Sequence, residues 1–142
     1  MRFPIVTRYA DYDTKGHVNN AVYLTYFEMA RHALWSDTWN KVPDPPFIVA
    51  EAHLKYHASA RMGVPLEVDI TVPEIRKKAW IFHYRLCDGR DGRLIADGDT
   101  VQVMYDYSSR TPIAIPDDVR ALLESVRTPP SAEPGGKDPG GA

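Results

Sequence analysis

Two aspartates, Asp11 and Asp13, stand in the run Arg8-Tyr9-Ala10-Asp11-Tyr12-Asp13-Thr14-Lys15-Gly16-His17-Val18-Asn19-Asn20, just ahead of a segment that reads as a long helix. No other stretch of the chain gathers so many groups able to do chemistry. A carboxylate with a reference pKa near 4 is ionised at neutral pH. It can take a proton from water or attack an electrophilic carbon itself. The N–H groups at the start of a helix have no intrahelical partners and lie at the positive end of its dipole. Such donors suit a developing oxyanion. Asp13 is separated from the helix by a Gly turn and is the nearer candidate. Asp11 is expected to bond loop amides, and it points the same way as Asp13 if the segment is extended.

The neighbouring residues have simpler expected roles. Gly16 supplies a positive φ or a close approach to ligand. His17 helps orient water or the loop. Asn19 and Asn20 are candidate helix caps, and the Asn20 amide can lie near a reacting carbonyl. Tyr23 and Tyr26 read as core aromatics. Glu28, on a helix apolar on several sides, needs a partner if buried, and Arg31 sits three residues on. His53 and His57 fail as a metal pair, because four residues of strand span about 13 Å. No Gly-rich phosphate loop and no Ser or Cys nucleophile motif is present. No metal or cofactor is expected. Arg76, Lys77 and Lys78 form a solvated basic turn by default, with Arg61 and Arg110 elsewhere.

The elements that must position these residues follow from periodicity. Residues 3–9 are rich in β-formers and read as a strand. Residues 21–39 carry Tyr23, Phe27, Ala30 and Leu34 at helical spacing, without Gly or Pro. After Pro43-Asp44-Pro45-Pro46 the period changes to two. Ile48, Ala50, Ala52, Leu54 and Tyr56 alternate with polar residues, then Val64, Leu66, Val68, Ile70 and Val72, then Trp80, Phe82, Tyr84 and Leu86. Asp88-Gly89-Arg90-Asp91-Gly92 is a hairpin loop, followed by a strand over 94–107 that bends at Gly98. A short helix is expected over 116–126 and a disordered Pro/Gly-rich tail over 128–142. One strand, one long helix and four strands at hairpin spacing make an α+β domain, residues 1–127, in which an antiparallel sheet covers the helix.

Composition sets bounds. The chain has 142 residues, 44% hydrophobic and 25% charged, with a net charge of −2. That fits one soluble domain with no general attraction to nucleic acid or anionic membrane. Cys87 is the sole cysteine, so an intrachain disulfide is excluded. The polar N-terminus and the lack of a long apolar run lead to an expected cytoplasmic location.

The order D-x-D-x-x-G-H-V-N-N-x-x-Y-x-x-Y-x-E-x-A-R, from Asp11 to Arg31, resembles the signature of the bacterial 4-hydroxybenzoyl-CoA thioesterase-like family. The strand ending at Tyr56, the Gly63-Val64-Pro65-Leu66 start and Arg110-Thr111-Pro112-Ile113 are similar too. The resemblance implies a hotdog fold, a sheet wrapped round a central helix, in a homodimer or homotetramer. It implies hydrolysis of an acyl-CoA to free acid and CoA, with Asp13 as base or nucleophile and an oxyanion donor near Asn20. On this reading Asp13, His17 and Asn20 are the catalytic set, while Gly16, Val18, Asn19, Tyr23 and Glu28 contact substrate. Trp35, Trp39, Phe47 and Trp80 offer further apolar surface. Plant acyl-ACP thioesterases carry a similar Asp-x-Asn-x-His arrangement. Here His17 matches, but Lys15 stands at the Asn position and Ser59-Ala60 at the later Glu-Cys pair. The alternative reading is a non-catalytic hotdog subunit that binds acyl-CoA or serves structure alone.

Overall fold

The computed structural model describes residues 1–128. The strands are β1 (Arg2–Ile5), β2 (Phe47–Tyr56), β3 (Leu66–Ile75), β4 (Ala79–Asp88), β5 (Leu94–Asp106) and β6 (Thr111–Pro112); the helices are α1 (Val22–Ala33) and α2 (Asp117–Ser125). All strand pairs are antiparallel, in the order β1-β3-β4-β5-β2, with β6 on the end of β5. The α+β arrangement expected from the period change is the one formed. Strand β1 is shorter than expected. Helix α1 stops at Ala33 and continues as a π-helical turn, Leu34–Thr38. Of the expected tail, Thr128 donates its N–H to the Val72 carbonyl at 3.1 Å, and residues 129–142 lie outside the described residues. Among the described residues no helix is long and apolar enough to cross a membrane.

The sheet buries one face because its strands alternate. Leu66, Val68, Ile70 and Val72 of β3, Trp80, Phe82, Tyr84 and Leu86 of β4, and Ala96, Gly98, Thr100, Gln102 and Met104 of β5 are all buried. Against them α1 lays Tyr23, Tyr26, Phe27 and Ala30. Phe27 stacks on Tyr84 with ring centroids 4.6 Å apart and planes 6° from parallel. Trp35 and Trp80 are fully buried, 6.1 Å apart, and Phe47 lies 5.5 Å from Trp80. Trp35 and Trp80 are core, worth on the order of 2 kcal/mol or more each in buried apolar area; neither they nor Phe47 line the cleft described below. The opposite side of α1 is open. Leu24, Thr25, Glu28 and His32 are exposed, so this chain covers the helix on its sheet side and leaves the opposite side open.

Gly98 does more than bend a strand. A Cβ there would run into the His53 carbonyl oxygen on β2 and lie 3.2 Å from Phe27 Cε2. Its missing side chain lets β2, β5 and α1 approach one another.

Strand β2 is an edge, and it carries a bulge. Its register with β5 shifts between Val49 and Glu51, leaving Ala50 without a counterpart. Phe47 and Val49 therefore pair with Met104 and Gln102, whereas Ala52, Leu54 and Tyr56 pair with Thr100, Gly98 and Ala96. Directly paired residues share a face. The single alternation expected from Ile48 to Tyr56 holds only from Ala52 onward. Before the bulge the residues on that sheet face are Phe47, which packs against the core, and Val49, which stays exposed.

Candidate active site

The segment before α1 is folded, not extended. A short 3-10 turn, Tyr9–Asp11, delivers Asp11 to the interior, where it is 1% exposed. Its carboxylate accepts the Arg8 N–H at 2.9 Å, the Tyr26 hydroxyl at 2.9 Å and the Arg8 guanidinium through Nη2 at 2.9 Å. Burial alone would raise this carboxyl, but those donors together hold it below the usual carboxylate range. Burial and the Asp11 charge push the Tyr26 phenol up. Asp11 is thus a structural tie, as expected, but it does not point the way Asp13 points. Tyr26→Phe removes one bond to a buried ionised group and leaves the ring in place. It should lower stability by about 2 kcal/mol, read from a urea titration; an unchanged midpoint would show that the bond contributes nothing.

Beyond Asp11 the chain makes a tight loop closed by a Tyr12–Val18 bridge. Inside it the Asp13 N–H donates to the His17 carbonyl at 2.7 Å, and the Gly16 N–H donates to the Asp13 carbonyl at 3.1 Å. Gly16 has φ +74°, the left-handed conformation expected of it. The Asp13 side chain completes the loop through one oxygen. Oδ1 accepts the Lys15 N–H at 2.8 Å and the His17 N–H at 3.1 Å. Among the described residues Oδ2 accepts no hydrogen bond. The His17 and Lys15 N–H groups hold the Asp13 carboxyl below the usual range, so it stays ionised.

Asp13 lines a cleft of about 430 Å³ with His17, Val18, Asn19, Asn20 and Tyr23. The far wall is the end of β2 and the residues after it, Tyr56, His57, Ala58 and Ser59. That wall was missed from sequence, because nothing local in these residues reports a neighbour some 36 positions away. The loop is joined to it by main-chain bonds, Val18 N–H to the Ala60 carbonyl at 2.8 Å and Met62 N–H to the Gly16 carbonyl at 2.9 Å. Tyr23 accepts the Ala60 N–H on its hydroxyl at 3.3 Å and meets the Tyr56 ring edge-on at 5.1 Å. The His57 ring turns to Asp97, with Nε2 2.6 Å from Oδ1.

Asn19 closes the turn that leads into α1, whose N-cap residue is Ala21 with no side-chain cap, so neither Asn19 nor Asn20 is the cap expected of it. Asn19 Oδ1 accepts the Ala21 N–H at 3.0 Å and the Asn19 carbonyl accepts the Val22 N–H at 2.9 Å. Among the described residues the Asn20 N–H makes no hydrogen bond. One carboxylate oxygen and one backbone donor are therefore left unengaged around a single cleft, a pair suited to attack on a carbonyl carbon.

Glu28 and Arg31 do not join this cleft or each other. Glu28 is exposed, and both residues line a separate cavity of about 410 Å³ with His32, Asp44, Phe47 and Tyr107. Arg31 donates to the Tyr84 hydroxyl at 3.0 Å and lies 6.0 Å from the Phe47 ring centre. The expected Glu28–Arg31 pair assumed a buried carboxylate, and an exposed one needs no partner. Gly16 shapes the loop but does not line the cleft.

The model of the Thioesterase-like superfamily matches residues 7–123. The chain is 26% identical over 126 residues to the acyl-CoA thioester hydrolase YbgC of Escherichia coli O6:H1, covering 85% of this chain and 93% of YbgC. It is 26% identical over 133 residues to the long-chain acyl-CoA thioesterase FadM of Escherichia coli strain K12, covering 89% and 98%. In fold it matches the PA5185 protein of Pseudomonas aeruginosa, with a TM-score of 0.82 at 24% identity over 90% of this chain and 92% of that one.

Proposed function

The chain belongs to the Thioesterase-like superfamily, and from that premise we propose that it hydrolyses acyl-CoA thioesters to the free acid and coenzyme A. The observation that carries this reading is the cleft shared by the unengaged Asp13 Oδ2 and the unpaired Asn20 N–H. Asp13 Oδ2 takes a proton from water, whose oxygen adds to the thioester carbon. The carbonyl oxygen becomes an oxyanion held by the Asn20 N–H. Collapse breaks the C–S bond and expels the CoA thiolate. Direct attack by the same oxygen gives a mixed anhydride that water opens, and it needs the same donor. His17 orients the water or the loop, and Val18, Asn19 and Tyr23 line the reacting group.

The reading includes self-association and a cytoplasmic location. Strand β2 is a ten-residue edge with Val49 45% and Tyr56 51% exposed. A second copy pairing along it would satisfy its open N–H and C=O groups. The deciding experiment is release of free thiol from a panel of short, long and aromatic acyl-CoAs. Turnover of at least one class is expected. Binding without turnover of any would make the chain a non-catalytic acyl-CoA-binding subunit.

A further inference from the structure

The two peptide groups flanking Asn20 hold four polar atoms, and three of them are engaged. The Asn19 carbonyl accepts the Val22 N–H at 2.9 Å. The Asn20 carbonyl accepts the Tyr56 hydroxyl at 2.8 Å. The Ala21 N–H, in the same peptide as that carbonyl, donates to Asn19 Oδ1 at 3.0 Å. The peptide after Asn20 is thus gripped at both ends by side chains, one from the loop and one from the sheet. The fourth atom is the unpaired Asn20 N–H.

We propose that Tyr56 and Asn19 are positioning residues, whose side chains clamp the Asn20–Ala21 peptide so that the Asn20 N–H is held ready for the thioester oxyanion. The assignment rests on the thioesterase reading and deepens it. A donor fixed before the reaction begins costs no reorganisation when charge develops, so its orientation weighs more than its bare presence. Tyr56 is suited to the task because it is itself held. Its Cα pairs with Ala96 of β5, and its ring packs edge-on against Tyr23. A hydroxyl bond at a residue 51% exposed contributes little to folding, since water can replace it. What water cannot replace is a fixed direction, which the sheet imposes on the first turn of the helix.

The experiment compares Tyr56→Phe, Asn19→Ala and Asn19→Ser on the full chain, using an acyl-CoA that the wild type turns over. Tyr56→Phe and Asn19→Ala should each lower kcat about tenfold, a fraction of the loss on deleting an oxyanion donor outright, while KM stays near wild type. Asn19→Ser keeps a side-chain oxygen for the Ala21 N–H and should restore most of kcat. Two ligands separate orientation from binding. A CoA thioether, which cannot form an oxyanion, should bind all variants equally. A CoA trifluoromethyl ketone, which forms a tetrahedral adduct with an oxyanion, should weaken by the factor lost from kcat. Wild-type kcat in Tyr56→Phe, or equal weakening of both ligands, overturns the clamp while the hydrolase reading stands. A wild type that releases thiol from no acyl-CoA overturns the hydrolase reading itself, and the clamp with it.

Discussion

Asp13→Asn should lower kcat for acyl-CoA hydrolysis roughly a thousandfold while leaving the fold intact. The two halves of that expectation come from the two oxygens of one side chain. Oδ1 holds the loop by accepting the Lys15 and His17 N–H groups. An asparagine oxygen can accept the same two bonds, so the loop and the melting temperature should hardly change. The amide nitrogen then replaces Oδ2, and it can neither accept a proton nor attack carbon. Full activity in Asp13→Asn would remove Asp13 from the mechanism. The pH profile of the wild type gives an independent check. The loop donors lower the Asp13 pKa below the 3.8 of an ordinary aspartate. The active ionised form therefore persists as pH falls through 3.8 and is lost only below it. The acid limb of kcat/KM should lie below that value, or be cut short by unfolding, which circular dichroism would reveal. A limb near pH 5 or 6 with the fold intact would point to another group.

Gly98→Ala should cost about 2–3 kcal/mol, a large share of the stability of a domain this size. The new methyl would strike the His53 carbonyl oxygen and crowd Phe27. The first obstacle is backbone and cannot rotate away. Relief requires β2 to lift from β5, and the crowding of Phe27 is eased only if α1 shifts on the sheet as well. A denaturant midpoint should fall accordingly, by about 3 °C per kcal/mol if followed thermally. Because β2 ends at the cleft wall, activity should fall as well. A wild-type melting curve would show that β2, β5 and α1 are not in close contact at Gly98.

What was legible from sequence divides along physical lines. The buried faces of β3 and β4 follow from apolar residues at every second position, Leu66 to Val72 and Trp80 to Leu86, the pattern of a half-buried strand. The Asp13–Gly16 turn was legible because a glycine at positive φ and an Asx-type side-chain bond are local devices. Asp11 and Asp13 were expected on one side only for an extended segment, and nothing in the letters reveals the 3-10 turn, Tyr9–Asp11, that carries Asp11 inward. Glu28 was paired with Arg31 on helical spacing alone. Arg31 instead reaches Tyr84, 53 positions away, and no spacing rule covers such a contact. Tyr56 escaped for the same reason.

Ala50 adds one residue to β2 and thereby lets a single strand keep two appointments. Phe47 must reach the tryptophans at one end, and Tyr56 must reach Asn20 at the other. Nine steps separate them, an odd number, so an uninterrupted ribbon would turn one inward and the other out. The spare residue corrects the parity. What evolution can least afford to alter in this strand is therefore its length: side chains on its outer surface can drift, but loss of one residue would cost either the aromatic core or the grip on the helix entrance.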